Sequence, residues 1–114
     1  MGKPVVHWEI VGKDGQKLQQ FYTGLFDWKI DANNPFNYGL VDTGGAGGIN
    51  GGIGPSQDGP AVRVYIQVDD LQAYLDRAER LGGKTLMPPT EIPGAVTMAM
   101  FQDPEGNQVG LLKG

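Results

Sequence analysis

Ala61-Val62-Arg63-Val64-Tyr65-Ile66-Gln67, followed by a helix opening at Asp70, is the stretch that decides the fold, because the chain has already used its grammar once. The earlier copy is Val5-Val6-His7-Trp8-Glu9-Ile10-Val11, with its helix opening at Asp14. A shift of 56 residues carries Asp14 onto Asp70, and it also carries Leu25 onto Leu81 and Ile30 onto Leu86. That shift is about half of the 114 residues, so one supersecondary unit is written twice. Within the strands, Val6, Trp8 and Ile10 alternate with His7 and Glu9, and Val62, Val64, Ile66 and Val68 alternate with Arg63, Tyr65 and Gln67. Such alternation predicts one sheet face packed on helices and one facing a polar space.

The helices follow the same logic. Leu18, Phe21, Tyr22, Leu25 and Phe26 recur at helical spacing, and Leu71, Tyr74, Leu75, Ala78 and Leu81 repeat the stripe. Trp8, Phe21, Tyr22 and Phe26 are expected in the core. Asp69 with Gln72 suits an N-cap and capping box, and Gly82-Gly83 suits a helix stop. After each helix the chain turns strand-like and turn-rich: Trp28 to Ile30, Tyr38 to Val41 and a Gly-rich stretch near Ile49 to Gly54 in the first copy; Lys84 to Leu86, Val96 to Gln102 and Gln108 to Leu112 in the second. Asp103-Pro104-Glu105-Gly106-Asn107 reads as a hairpin turn. Each copy is therefore β-α-β-β-β, an α+β arrangement. Module one is expected at about residues 4–54, a linker at 55–60 and module two at 61–113, within a single domain spanning 1–114.

Composition excludes several classes. The net charge of −4, with no Lys/Arg cluster, argues against a nucleic-acid partner. Apolar runs are far too short for a membrane span, and Met1-Gly2-Lys3-Pro4 leads into a strand without the apolar core of a signal peptide. The absence of cysteine fits a reducing cytoplasm. Gly44-Gly45-Ala46-Gly47-Gly48-Ile49-Asn50-Gly51-Gly52 invites a phosphate-loop reading, but no Lys-Ser/Thr and no helix follow it. The expected role is a flexible loop and strand edge beside a cavity.

Phe21-Tyr22 in helix one, the Val68-Asp69-Asp70-Leu71 junction, the Leu81-Gly82-Gly83 helix end and the Asp103 to Asn107 turn together resemble the vicinal oxygen chelate superfamily, the group of glyoxalase I, bleomycin-resistance proteins and extradiol dioxygenases. Pro88-Pro89-Thr90-Glu91-Ile92-Pro93-Gly94 and Gly51-Gly52-Ile53 are similar to its small glyoxalase-like members. The resemblance covers Val5 to Leu112. It implies two βαβββ modules in tandem, with curved mixed sheets around a cavity, and pairing of chains as homodimers. It also implies a divalent metal held by the first and last strands of each module. Carried over position by position, those four slots fall on His7, Gly54, Arg63 and Gly110. Of these only His7 can coordinate a metal, because glycine has no donor side chain and the guanidinium is always protonated. A catalytic centre wants at least three protein ligands, so no metal or other cofactor is expected.

The polar-face residues His7, Glu9, Arg63, Tyr65, Gln67 and Gln108 are the candidates to contact a small organic ligand. His7 serves equally as a hydrogen-bonded structural residue. Arg63 either pairs with Glu9 or anchors an anionic group with its planar fork. Met98 and Met100 alternate with Ala99 and Phe101, and one pair of the two faces the cavity. Three functions remain open: a metal-free binding protein, a lyase or isomerase using His7 and Glu9 for acid–base work with or without a divalent metal, and a regulatory module without a ligand.

Overall fold

The computed structural model describes residues 2–114. The element order is β1 (Val5–Gly12), α1 (Gly15–Phe26), β2 (Lys29–Asp31), β3 (Gly39–Asp42), β4 (Gly51–Pro55), β5 (Ala61–Val68), α2 (Leu71–Arg80), β6 (Lys84–Glu91), β7 (Thr97–Gln102) and β8 (Gln108–Lys113). Both copies are thus β-α-β-β-β. The chain forms two compact units, residues 7–63 and residues 2–6 with 64–114. The division runs through β1 and β5, whereas residues 55–60 connect β4 to β5 inside the first unit.

In the unit of residues 7–63 the strands lie in the order β2-β3-β4-β1. β4 runs parallel to β1, with Glu9 opposite Gly52 and Val11 opposite Gly54, and antiparallel to β3. It is an interior strand and not the expected sheet edge. Gly51 to Gly54 are all buried, because aromatic rings occupy the space that side chains would take. A Cβ on Gly51 would stand 2.3 Å from the Trp8 ring, and one on Gly52 would stand 1.9 Å from the Tyr38 hydroxyl. Ile53, Val41 and Val11 are buried here. Asp14 caps α1, its Oδ1 accepting from Lys17 N at 3.0 Å.

In the other unit the order is β5-β8-β7-β6, with β5 and β8 parallel and the remaining pairs antiparallel. Val68, Leu71, Leu75, Ala99 and Leu111 form its core, flanked by Ile66, Tyr74 and Phe101. The cap of α2 is Asp70 and not Asp69: Asp70 Oδ1 accepts from Ala73 N at 3.1 Å, while the Gln72 amide is drawn to Asp76 at 2.9 Å. Gly82, at φ 101°, ends the helix as expected. β6 extends to Glu91, well past Leu86, through Pro88-Pro89. It lies at the end of its sheet and shifts register twice, so the missing proline donors are tolerated.

Three burial expectations fail. Phe21 and Phe26 are more than half exposed, because α1 buries only Gly15 among its residues. Val62 and Val64 are exposed at the start of β5. Conversely, Glu9 and Tyr65, expected on an open polar face, are buried.

Candidate functional site

β1 and β5 set the spacing of the site residues. His7 and Glu9, two apart on one strand, share a face. Arg63 Nη1 donates to Glu9 Oε2 at 2.9 Å, and both side chains are 11% exposed. Of the two alternatives for Arg63, the ion pair is formed. His7 Nε2 is hydrogen-bonded to the Tyr38 hydroxyl at 2.8 Å, with the proton's position set by the imidazole tautomer.

Tyr38 is expected in a strand-like segment and is not among the candidate site residues. Its backbone is fixed by Asn34, whose Oδ1 accepts from Tyr38 N at 3.0 Å and whose Nδ2 donates to Tyr38 O at 2.6 Å. The side chain then lies across Gly52 and Gly54. A tyrosine just before a strand, with glycines at alternate positions of another strand, is the signal that could have paired them.

The same device recurs in the other unit. Tyr65 stands opposite Gly110 in the β5–β8 register, and a Cβ on Gly110 would lie 2.2 Å from its ring. Since Glu9 is the repeat counterpart of Tyr65, the residue that matches Gly110 is Gly52, opposite Glu9, and not Gly54. Loop length between the strands accounts for the two-residue difference. Met98 and Met100 are also placed: Ala99 and Phe101 pack against α2, so the methionines take the opposite face. Met100 shares its row with Gly110 and Tyr65.

Within the unit of residues 7–63 the candidate residues make two polar contacts. His7 joins Tyr38, and Glu9 joins Arg63. In the other unit the Tyr65 ring lies over Gly110. Gln67 is exposed, its backbone N donating to Pro4 O at 2.9 Å, and Gln108 is exposed opposite Gln102 at the start of β8. His7 also borders a groove of about 460 Å³ with Lys29, Asp31, Leu40, Asp42 and Asn50. This volume lies in the range of small-molecule sites.

Burial lowers the His7 pKa below its ordinary value, and the Glu9 carboxylate opposes part of that shift. An unfolded chain takes up this proton near about pH 6.5, whereas folded His7 does so only at lower pH. Folding stability is therefore expected to fall as pH drops from about 6.5 toward the folded pKa. Urea unfolding of the protein and of His7→Gln on both sides of that pH should show the slope only in the parent; equal slopes contradict the assignment.

Two βαβββ copies in tandem, with polar residues on the first strand of one, define a protein of the glyoxalase-like fold class. The chain belongs to the Glyoxalase/Bleomycin resistance protein/Dioxygenase superfamily, whose model matches residues 5–111. It is 34% identical over 106 residues to CFP32 of Mycobacterium tuberculosis, covering 86% of this chain and 41% of that protein. It is 32% identical over 104 residues to the anthracycline biosynthesis protein DnrV of Streptomyces peucetius, covering 75% of this chain and 38% of DnrV. The chain thus spans about two fifths of the length of these curated relatives. Among solved structures, the Mn(II)-bound glyoxalase of Novosphingobium aromaticivorans superimposes with a TM-score of 0.69 at 15% identity, over 97% of this chain and 38% of that one. At that identity the likeness concerns fold. No helix among the described residues is long and apolar enough to cross a membrane.

The first- and last-strand positions at which the resemblance implies a metal hold His7, Gly52, Arg63 and Gly110. Among the described residues no three His, Asp or Glu side chains gather as a ligand set. The Glu9 carboxylate is bonded to a guanidinium, and His7 Nε2 to a phenol. Both last-strand positions are glycines lying under tyrosine rings, where a carboxylate side chain has no room.

Proposed function

We propose that this chain is a metal-independent member of its superfamily that binds a small organic molecule at the groove bordered by His7, working as a homodimer in the cytoplasm. The observation that carries the reading is the His7–Tyr38 pair at the margin of that groove, a polar contact point beside the apolar wall of Leu40. Neutral imidazole and phenol recognise a ligand through directional hydrogen bonds, and the apolar wall contributes burial.

Native mass spectrometry of freshly purified protein, joined to elemental analysis, tests this. The expected spectrum contains an organic adduct without stoichiometric metal, and His7→Leu loses the adduct while keeping its fold. Stoichiometric metal, with the adduct lost on chelation, would overturn the proposal.

A second reading is a lyase or isomerase. The lowered His7 pKa favours it, because an imidazole neutral near pH 7 is competent as a base. In that reading Glu9 and Arg63 hold the strand while His7 and Tyr38 move the proton. Turnover unaffected by His7→Ala excludes that mechanism.

A further inference from the structure

Ala78, Gly82 and Lys84 stand 56 residues after Tyr22, Phe26 and Trp28, so the second copy of the repeat carries no ring where the first carries three. In the first copy those rings close on one another: the Trp28 centroid lies 5.8 Å from that of Tyr22 and 5.0 Å from that of Phe26. In the second copy a recess of about 460 Å³ opens beside the C-terminal half of α2. Ile66, Val68, Phe101 and Leu111 form its floor, and Ala78 and Leu81 its helix wall. It shares no residue with the groove at His7. An apolar concavity of this size with a few polar groups at its margin has the make-up of a small-molecule site.

The charged groups of the lining indicate what the occupant carries. Arg77 and Lys3 both border the recess, and among the described residues neither has a carboxylate partner. The Arg77 guanidinium lies over the Tyr74 ring, 5.3 Å from its centroid, and that contact restrains its planar fork. A basic residue in the last turn also suits the helix dipole, but Arg80 answers that need without lining the recess. Asp103, the remaining charged group of the lining, is turned into its own hairpin. Its Oδ1 accepts from Glu105 N and Asn107 N, and its Oδ2 from Asn107 Nδ2, each at 2.9 Å. Two cations and one anion leave the lining with a single positive charge, which a monoanion neutralises. A guanidinium donates two parallel hydrogen bonds to a carboxylate, so the fork and the charge select the same group.

We propose that this recess binds a monocarboxylic acid with an apolar body, its carboxylate held by Arg77 and Lys3 and its body laid on Ile66, Phe101 and Leu111. Decanoate and naphthoate, one a chain and the other a fused ring, are the probes, and NMR titration of the isotopically labelled full chain is the measurement. Saturable shifts of the Ala78, Gly83 and Leu111 amides are expected with at least one of the two acids, and the tighter of them tells whether the site is built for a chain or a ring. Decanol and naphthol, the same bodies without the carboxylate, should bind at least tenfold more weakly. Arg77→Gln should weaken the acids at least tenfold, while Arg80→Gln leaves them unchanged. Ala78→Tyr restores the residue of the first copy and should abolish binding; Arg77→Gln, at an exposed side chain, keeps the test decisive where that variant fails to fold. Neutral analogues that bind as tightly as the acids, undiminished affinity in Arg77→Gln, or shifts confined to the His7 groove overturn the inference. So does the absence of saturable shifts with both acids. Shifts of the same amides on raising the protein concentration without any acid mark a second chain in the recess and overturn it as well.

Discussion

Replacing Arg63 by methionine is expected to lower folding stability by about 3–5 kcal/mol, the cost of stranding a buried charge. Glu9 and Arg63 are each 11% exposed in their side chains and meet at 2.9 Å, so removing the guanidinium leaves a carboxylate shut away from water. In a chain of this size the melting temperature should fall on the order of 10–20 °C. Replacing both partners, Glu9→Met with Arg63→Met, should recover most of the loss, because an apolar pair of similar volume has no charge to strand. The two single variants and the double variant, unfolded in urea, provide the measurement. A single-variant loss below about 1 kcal/mol, the usual worth of an exposed pair, would show that solvent reaches this pair and that it is no internal lock.

The second large effect is expected at Gly110. Glutamate there would place a carboxylate in the family's last-strand metal position, yet its Cβ would stand 2.2 Å from the ring of buried Tyr65. Overlap of that kind forces the ring or the strand to move, and a loss of about 3 kcal/mol or more is expected. Gly110→Ala should incur most of it, since the clash begins at Cβ. Tyr65→Ala removes the obstruction, so Gly110→Ala with Tyr65→Ala should be less damaging than the two single losses added together. Strict additivity, or a well-folded Gly110→Glu that takes up manganese in stoichiometric amount, would defeat this account of the glycine.

Much of the architecture was legible because strand and helix periodicities are local. The order of all ten elements, the Asp103 turn and the repeat could be read from patterns a few residues wide. The site was legible only in part. His7, Glu9 and Arg63 stand out on alternating strands, and the Arg63–Glu9 pair was one of two readings of that pattern. Tyr38 did not stand out, because its partnership with His7 spans 31 residues and depends on a turn organised by Asn34. The choice of Gly52 over Gly54 depends on strand register, which loop length shifts without a trace in the pattern. Nor does an amphipathic stripe say what covers it. Leu71 and Leu75 are covered by their own sheet, while Phe21 and Leu25 are not.

Pro88 and Pro89 have a consequence beyond the shape of β6. The strand lies at the end of its sheet, it is broken twice in register, and two of its eight residues carry no amide hydrogen. Such an edge gives an incoming strand no continuous ladder of donors to extend. Runaway sheet growth, the ordinary hazard of a β-rich chain at high concentration, therefore finds this border already closed by the covalent structure of the residues themselves.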